Sequence, residues 1–277
     1  MISSERARAR FEELAAGPDE ALGLLEGALL IAAEEQGRLD EEAVRGSLDA
    51  LAAAAAAAAP ASAGPPERAS LLTRYLREDA GFRGNEADYY DPANSYLDQV
   101  LARRTGIPLT LSVVWIEVAA RIGLPLEGVG FPGHFLVRAP SADGLLVDPF
   151  AGRIVDAAWC RDRLRAVLGP KAEVEAAHLR TATPRQMLVR MLGNLKQIHG
   201  HREEPERALA CSERILLLMP DAPLEIRDRG LLLEALECYG PAVADFERFL
   251  ALCPGDESAD GIREHLAALR GRVPRLH

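Results

Sequence analysis

The chain has 277 residues, of which 48% are hydrophobic and 27% charged. That is the composition of a globular protein, with length for one large or two small domains. A formal net charge of −10 disfavours nucleic acid or an anionic membrane as a partner. Four cysteines, Cys160, Cys211, Cys238 and Cys253, are too few and too scattered for a disulfide framework. None forms a C-x-x-C pair, so no zinc site of that type is expected. The first residues, MISSERARARFEELA, are charged and helical and lack the apolar core of a signal peptide. The alanine run 52–59 stops at Pro60, short of a membrane span. The expectations are a cytoplasmic location, no membrane partner and no cofactor.

Residues 1–66 read as helices followed by an Ala/Pro connector. Asp19 is expected to cap a helix with Leu22, Leu25, Ala28, Leu29 and Ala32 on one face. Asp40 is expected to cap the next, where Val44, Leu48 and Leu51 recur at helical spacing. Pro60–Pro66 is the connector, and another helix follows over Glu67–Asp79. The stretch GFRGNEADYYDP reads as a loop, with Tyr89 and Tyr90 expected to dock on the core.

The central segment begins with Asn94 as the expected cap of a helix bearing Leu97, Val100 and Leu101. A second helix opens on Pro108, at the first position, where the missing N–H of proline costs nothing. Its sequence, LTLSVVWIEVAARI, is apolar on nearly every face and ends at Gly123, which predicts a buried central helix. The period then changes to that of strands over Leu126–Gly130, Gly133–Arg138 and Leu145–Phe150. A hairpin centred near Ser141 places residues summing to about 282 opposite each other, which pairs His134 with Asp148.

Beyond Thr183-Pro184-Arg185-Gln186, which has the spacing of a capping box, the chain repeats. Ala208 matches Ala242, Arg214 matches Arg248, Leu216 matches Leu250 and Pro220 matches Pro254, all 34 apart. A 34-residue period with a proline after its second helix is the tetratricopeptide pattern. The repeats fall at about 189–222 and 223–256, with a closing helix from Ile262 to Arg270. Residues 185–277 carry 13 basic and 15 acidic groups against 19 and 27 in the remainder, so the acidic excess lies in the first two-thirds. His199-Gly200-His201 ends the first repeat helix with no third ligand nearby in sequence, so no metal site is expected there. Cys211, Cys238 and Cys253 read as small buried hydrophobes, Trp115 and Trp159 as core anchors, and Asn194 as a packing residue.

The strings NSYLDQVLARRTGIPLTLSVVWIEVAARIGLPLEGVGFPGHFLVRA and LLVDPF resemble the SirB family of bacterial proteins. In that family a transglutaminase-like domain precedes tetratricopeptide repeats. The resemblance implies a helix-rich α+β fold: a papain-like, transglutaminase-like core at 67–180 with N-terminal helices, followed by an all-α repeat region at 181–277. One departure is Ala151-Gly152-Arg153, where an Asn-Gly-Gly run is expected. In active members of the wider superfamily a Cys opens the central helix, and His and Asp come from the next two strands. A thiolate is favoured at a helix N-terminus, the His takes its proton, and the Asp orients the His.

His134 and Asp148 match the second and third positions, whereas the nucleophile position falls on Pro108. Cys160 follows both strands and lies outside the expected place. Thr110 and Ser112 carry hydroxyls in the first turns of the same helix, but small buried hydroxyls commonly bond to nearby backbone. Asn94 could offer an amide to a cleft. No confident catalytic, cofactor-binding or metal-binding residue follows. The expected function is a non-catalytic interaction or scaffold protein that takes a protein or peptide partner through its repeats. The alternative is a papain-like hydrolase or transferase that uses His134 and Asp148 with an unconventional nucleophile.

Overall fold

The computed structural model describes residues 1–139 and 144–270; the expected hairpin centre at Ser141 lies outside them. The chain divides into two compact units, Met1–Met191 and Leu192–His277. Among the described residues no helix is long and apolar enough to cross a membrane.

The first unit opens with a two-residue strand β1 (Ile2–Ser3) and α1 (Ser4–Ala16), where the Ser3 side chain accepts from the Arg6 N–H. Helix α2 (Leu24–Gln36) follows a short turn at Asp19–Ala21. Here the expectation for Asp19 fails. The cap is Gly23, because Leu22 and Gly23 are extended, and the Asp19 carboxylate instead pairs with Arg185. Strand β2 (Arg38–Leu39) pairs antiparallel with β1 and leads to α3 (Glu41–Ala58). Asp40 caps α3 through the Ala43 N–H, and Val44, Leu48 and Leu51 form its buried stripe. Helix α4 (Pro65–Arg74) begins earlier than the sequence suggested, because Pro65 and Pro66 occupy its first turn, where proline is tolerated. It continues through one wide turn at Tyr75–Asp79.

Strand β3 (Arg83–Gly84) runs parallel to β4 (Thr105–Gly106), with α5 (Leu97–Arg103) between them. Gly84 is required there by close approach, since a Cβ would fall 2.4 Å from the Phe150 ring. The central α6 (Pro108–Arg121) buries Pro108 through Trp115 without a break, together with Val118 and Ala119. The Trp115 indole donates to Thr73 Oγ1 at 3.2 Å and packs edge-on against Phe82. Gly123, at φ +70°, closes the helix. The buried Arg68 guanidinium donates to the Ile122 carbonyl at 2.6 Å, to the Gly123 carbonyl at 3.3 Å and to the Ala59 carbonyl at 3.4 Å. One side chain thus serves the orphan carbonyls at the ends of both α3 and α6.

The sheet is an antiparallel meander of β5 (Glu127–Val129), β6 (Leu136–Arg138), β7 (Leu146–Asp148) and β8 (Arg153–Val155). Strand β8 was not legible in the sequence, nor was α7 (Ala157–Leu168), which Asp156 caps through the Trp159 N–H at 2.8 Å. Val129, Phe131, Leu136, Val155, Cys160 and Leu164 close a core between sheet and α7.

Helix α8 (Pro184–His201) starts with the expected reciprocal cap. Gln186 N–H donates to Thr183 Oγ1 at 3.2 Å, and Thr183 N–H donates to Gln186 Oε1 at 3.0 Å. The second unit continues with α9 (Pro205–Leu218), α10 (Pro223–Ala235), α11 (Tyr239–Leu252) and α12 (Ala259–Arg270). Helices α9 and α11 begin and end 34 residues apart, which is the period read from the sequence. Gly230 lets α10 approach α11 closely, because a Cβ there would meet the Phe246 ring at 2.5 Å. Ile262, Leu266 and Leu269 of α12 close the apolar cluster around Phe246 and Phe249.

Candidate functional site

The local chemistry of F-P-G-H places His134. Pro132 suits the first central position of a tight turn and Gly133, at φ +64°, the second, and the His134 N–H donates to the Phe131 carbonyl at 3.0 Å. His134 therefore precedes β6 and does not lie within it. The observed pairs, Val137 with Val147 and Arg138 with Leu146, sum to 284 instead of 282. A shift of two residues leaves every side chain on its original face, because strand side chains alternate with period two. His134 and Asp148 consequently still meet, Nε2 to Oδ1 at 2.7 Å, and both are buried.

Asp148 is fixed by D-P-F. Its Oδ1 accepts the N–H of Phe150 at 3.0 Å and of Ala151 at 3.2 Å in addition to the His134 ring. Three donors on one carboxylate oxygen hold the turn and the imidazole together. The other ring nitrogen of His134, Nδ1, has no hydrogen-bond partner among the described residues. Trp159, on α7, packs on the imidazole at 5.4 Å between centroids, and Phe150 meets it edge-on at 6.1 Å. Trp159 is partly buried and packs against the core between sheet and α7, as expected of it, meeting Phe131 at 6.2 Å and the His134 ring on its way to the surface.

The opening of α6 carries different chemistry. Pro108 is its first residue and is buried. Thr110 Oγ1 donates to the Asn94 carbonyl at 2.8 Å, and Ser112 Oγ donates to the Pro108 carbonyl at 2.8 Å. Both hydroxyl protons are directed at main chain, as buried small hydroxyls commonly are. Asn94 does not cap α5; Tyr96 holds that position. Its buried amide donates to the Asp88 carbonyl at 2.7 Å and to the Tyr89 carbonyl at 3.3 Å, while its Oδ1 accepts from Asn85 at 3.0 Å. Asn94 thus fastens residues 85–89 to the start of α6. That anchoring leaves Tyr89 and Tyr90 44% and 53% exposed, contrary to the docking expected of them. Tyr89 packs on Phe150 at 6.4 Å and on Tyr90 at 5.5 Å.

The thiols lie elsewhere. Cys160 is buried in the core between sheet and α7, where desolvation, with the Asp156 carboxylate adding to it, pushes its pKa up. Cys211 is buried, Cys253 is partly buried, and Cys238 is exposed at the start of α11 instead of buried as expected. His199 Nδ1 pairs with Glu204 Oε2 at 2.7 Å at the end of α8. A cavity of about 720 Å³ lies beside Leu146, Ile154, Val155 and Cys160, and one of about 640 Å³ beside Gly84, Asn85 and Phe150.

Two arginines near His134 escaped the sequence reading. Arg163 donates to the Gly133 carbonyl at 2.6 Å, and Arg190 donates to the His134 carbonyl at 2.7 Å while lying over the Phe135 ring. The signal for Arg190 was present: it interrupts the buried run Met187, Leu188, Met191 and Leu192.

A helix opening beside a meander sheet, a His and an Asp in contact at the strand ends, and paired helices of 34-residue period define a transglutaminase-like core joined to tetratricopeptide repeats. The family model described as the transglutaminase-like superfamily matches residues 42–193, and that of the tetratricopeptide repeat matches residues 195–267. The chain is 40% identical over 272 residues to a UPF0162 protein of Xylella fastidiosa, covering 96% of this chain and 97% of that one. It is 37% identical over 240 residues to a UPF0162 protein of Pseudomonas aeruginosa, covering 87% of each. To the protein SirB1 of Salmonella typhimurium it is 30% identical over 213 residues, covering 76% of this chain and 79% of that one. The chain belongs to this UPF0162/SirB family of the transglutaminase-like superfamily.

Proposed function

We propose that this protein is a non-catalytic binding protein whose transglutaminase-like part has lost acyl transfer and whose repeats receive a protein partner. The observation that carries the reading is the opening of α6. Pro108 stands at its first position, and the two nearby hydroxyls donate to main-chain carbonyls. Cys160 is buried and held as a thiol, which makes it a poor nucleophile. On α10, Leu224 and Leu231 lie seven residues apart and remain 51% and 36% exposed, which suits an apolar contact with a partner segment.

The alternative, a hydrolase or transferase with an unconventional nucleophile, is favoured by the contact of His134 with Asp148 and by the open Nδ1. Assays for ammonia release from glutamine peptides and for acyl transfer from activated esters separate the two. The wild-type chain is expected to give no turnover, and Pro108→Cys to gain a reactive thiol that Cys160 does not supply. Thiolates at helix N-termini are favoured by the backbone dipole. Wild-type turnover that disappears in His134→Ala would overturn the proposal. For the repeats, a partner captured from the native cell should be lost with Leu224→Asp/Leu231→Asp and kept with His134→Ala. Capture unchanged by the leucine substitutions would remove the repeats from the binding role.

A further inference from the structure

Around His134, beside the Asp148 carboxylate that its ring contacts, stand two arginines that are not paired with it. Arg163 and Arg190 each give one donor to the adjacent carbonyls of residues 133 and 134. Among the described residues neither pairs with a carboxylate, and their remaining N–H groups have no acceptor. In a chain of net charge −10, two neighbouring guanidiniums without acidic partners stand out. A guanidinium offers five N–H donors in a planar fork, and one bond to a carbonyl leaves most of them available.

The position of Arg190 adds to this. It is only partly accessible, with its guanidinium over the Phe135 ring, and burial lowers its pKa below the ordinary guanidinium value. A partly desolvated cation is normally compensated by an anion. Both arginines oppose the rise that burial causes in the Tyr89 phenol. Tyr89 is half exposed, and Phe150 links its ring to the imidazole. Trp159 and Arg163 stand one turn apart on α7, and both reach the 131–134 turn. The result is a rim of Tyr89, Trp159, Arg163 and Arg190 around His134, aromatic on one part and cationic on the other.

We infer that this rim binds a carboxylate of a peptide, with Arg163 and Arg190 holding its two oxygens and Tyr89 and Trp159 flanking the chain that carries it. A carboxylate suits the site better than a phosphate, because the Asp148 charge lies immediately behind the imidazole and disfavours a dianion. The inference is independent of turnover and of the role proposed for the repeats.

The test uses the full chain and four probes: an acetylated, amidated tetrapeptide with one internal glutamate, its glutamine counterpart, acetylated tetra-alanine with a free C-terminus, and inorganic phosphate. Calorimetry gives the affinities. Tryptophan fluorescence localises binding, since Trp115 is fully buried and Trp159 is not, and Trp159→Phe should abolish the signal. One or both carboxylate probes should bind, which separates an acidic side chain from a chain terminus as the source. Affinity should fall about tenfold in Arg163→Gln and in Arg190→Gln, the loss expected for one charge-assisted hydrogen bond. Arg163 is exposed, so Arg163→Gln remains decisive if the Arg190 variant fails to fold. Equal binding of the glutamine peptide, tighter binding of phosphate, no effect of Arg163→Gln, or no carboxylate binding at millimolar concentration would each overturn the inference.

Discussion

The first turns of α6 and the strand ends that carry His134 and Asp148 use their polar groups in opposite ways. On the helix side Thr110, Ser112 and Asn94 are each hydrogen-bonded to backbone, and their polar groups hold loop to helix. On the sheet side, among the described residues, only half of the imidazole is engaged, and two guanidiniums retain donors without acceptors. Buried polar groups that are satisfied internally serve architecture; those left open at a surface are available to a ligand. That difference is the ground on which binding is proposed for the sheet side and structure for the helix side.

The largest effect expected is on the junction of the two. Asp148→Ala leaves the His134 ring and the N–H groups of Phe150 and Ala151 without their shared acceptor. It should cost about 3 kcal/mol in urea denaturation, with Asp148→Asn costing less because an amide oxygen still accepts. A loss below about 0.5 kcal/mol would mean that the carboxylate does not organise the turn. Next comes Asn94→Ala, which should cost about 2 kcal/mol and raise hydrogen exchange over residues 85–91, since three side-chain bonds disappear. Unchanged exchange there would erase the contrast on the helix side.

The smallest effect tests the far edge of the sheet. Hydrogen bonds from Arg138 and Thr181 hold the Glu127 carboxyl below its usual pKa. A depressed folded pKa contributes stability that is present above the unfolded value, near 4.3, and is lost as pH falls through the folded value. With a side chain 51% exposed, Glu127→Gln should cost less than about 1 kcal/mol at neutral pH. That difference should shrink as pH falls below the unfolded value; one that stays constant on acidification would have another source.

Much of the fold was legible because it rests on periodicity. The 3.6 period marked α3, an unbroken apolar run between Pro108 and Gly123 marked α6, the 34-residue period marked α9 and α11, and Pro108 and Thr183 announced their helix starts. The contact of His134 with Asp148 was legible because side-chain alternation tolerates a register error of two. Caps were less secure. Asp19 and Asn94 are residue types that cap helices, yet their polar groups found partners distant in sequence or in a neighbouring loop. The three-residue β8 carried too little pattern to be seen. Tyr89 and Tyr90 read as core because aromatic residues usually are, and composition does not encode how much of a ring is covered.

Resemblance to the SirB family implied the transglutaminase-like architecture, while the sequence by itself determined the repeat, the proline at the opening of α6, and the two residues that meet at the strand ends. Those follow from residue identity and from short periods, which are local properties of a chain. Only the tertiary structure decided that Thr110 and Ser112 are bonded to main chain, that Cys160 is enclosed between sheet and α7, and that Arg163 and Arg190 come to adjacent carbonyls from two different helices. Whether a polar group is satisfied depends on atoms far away in sequence, and packing alone brings those atoms into reach.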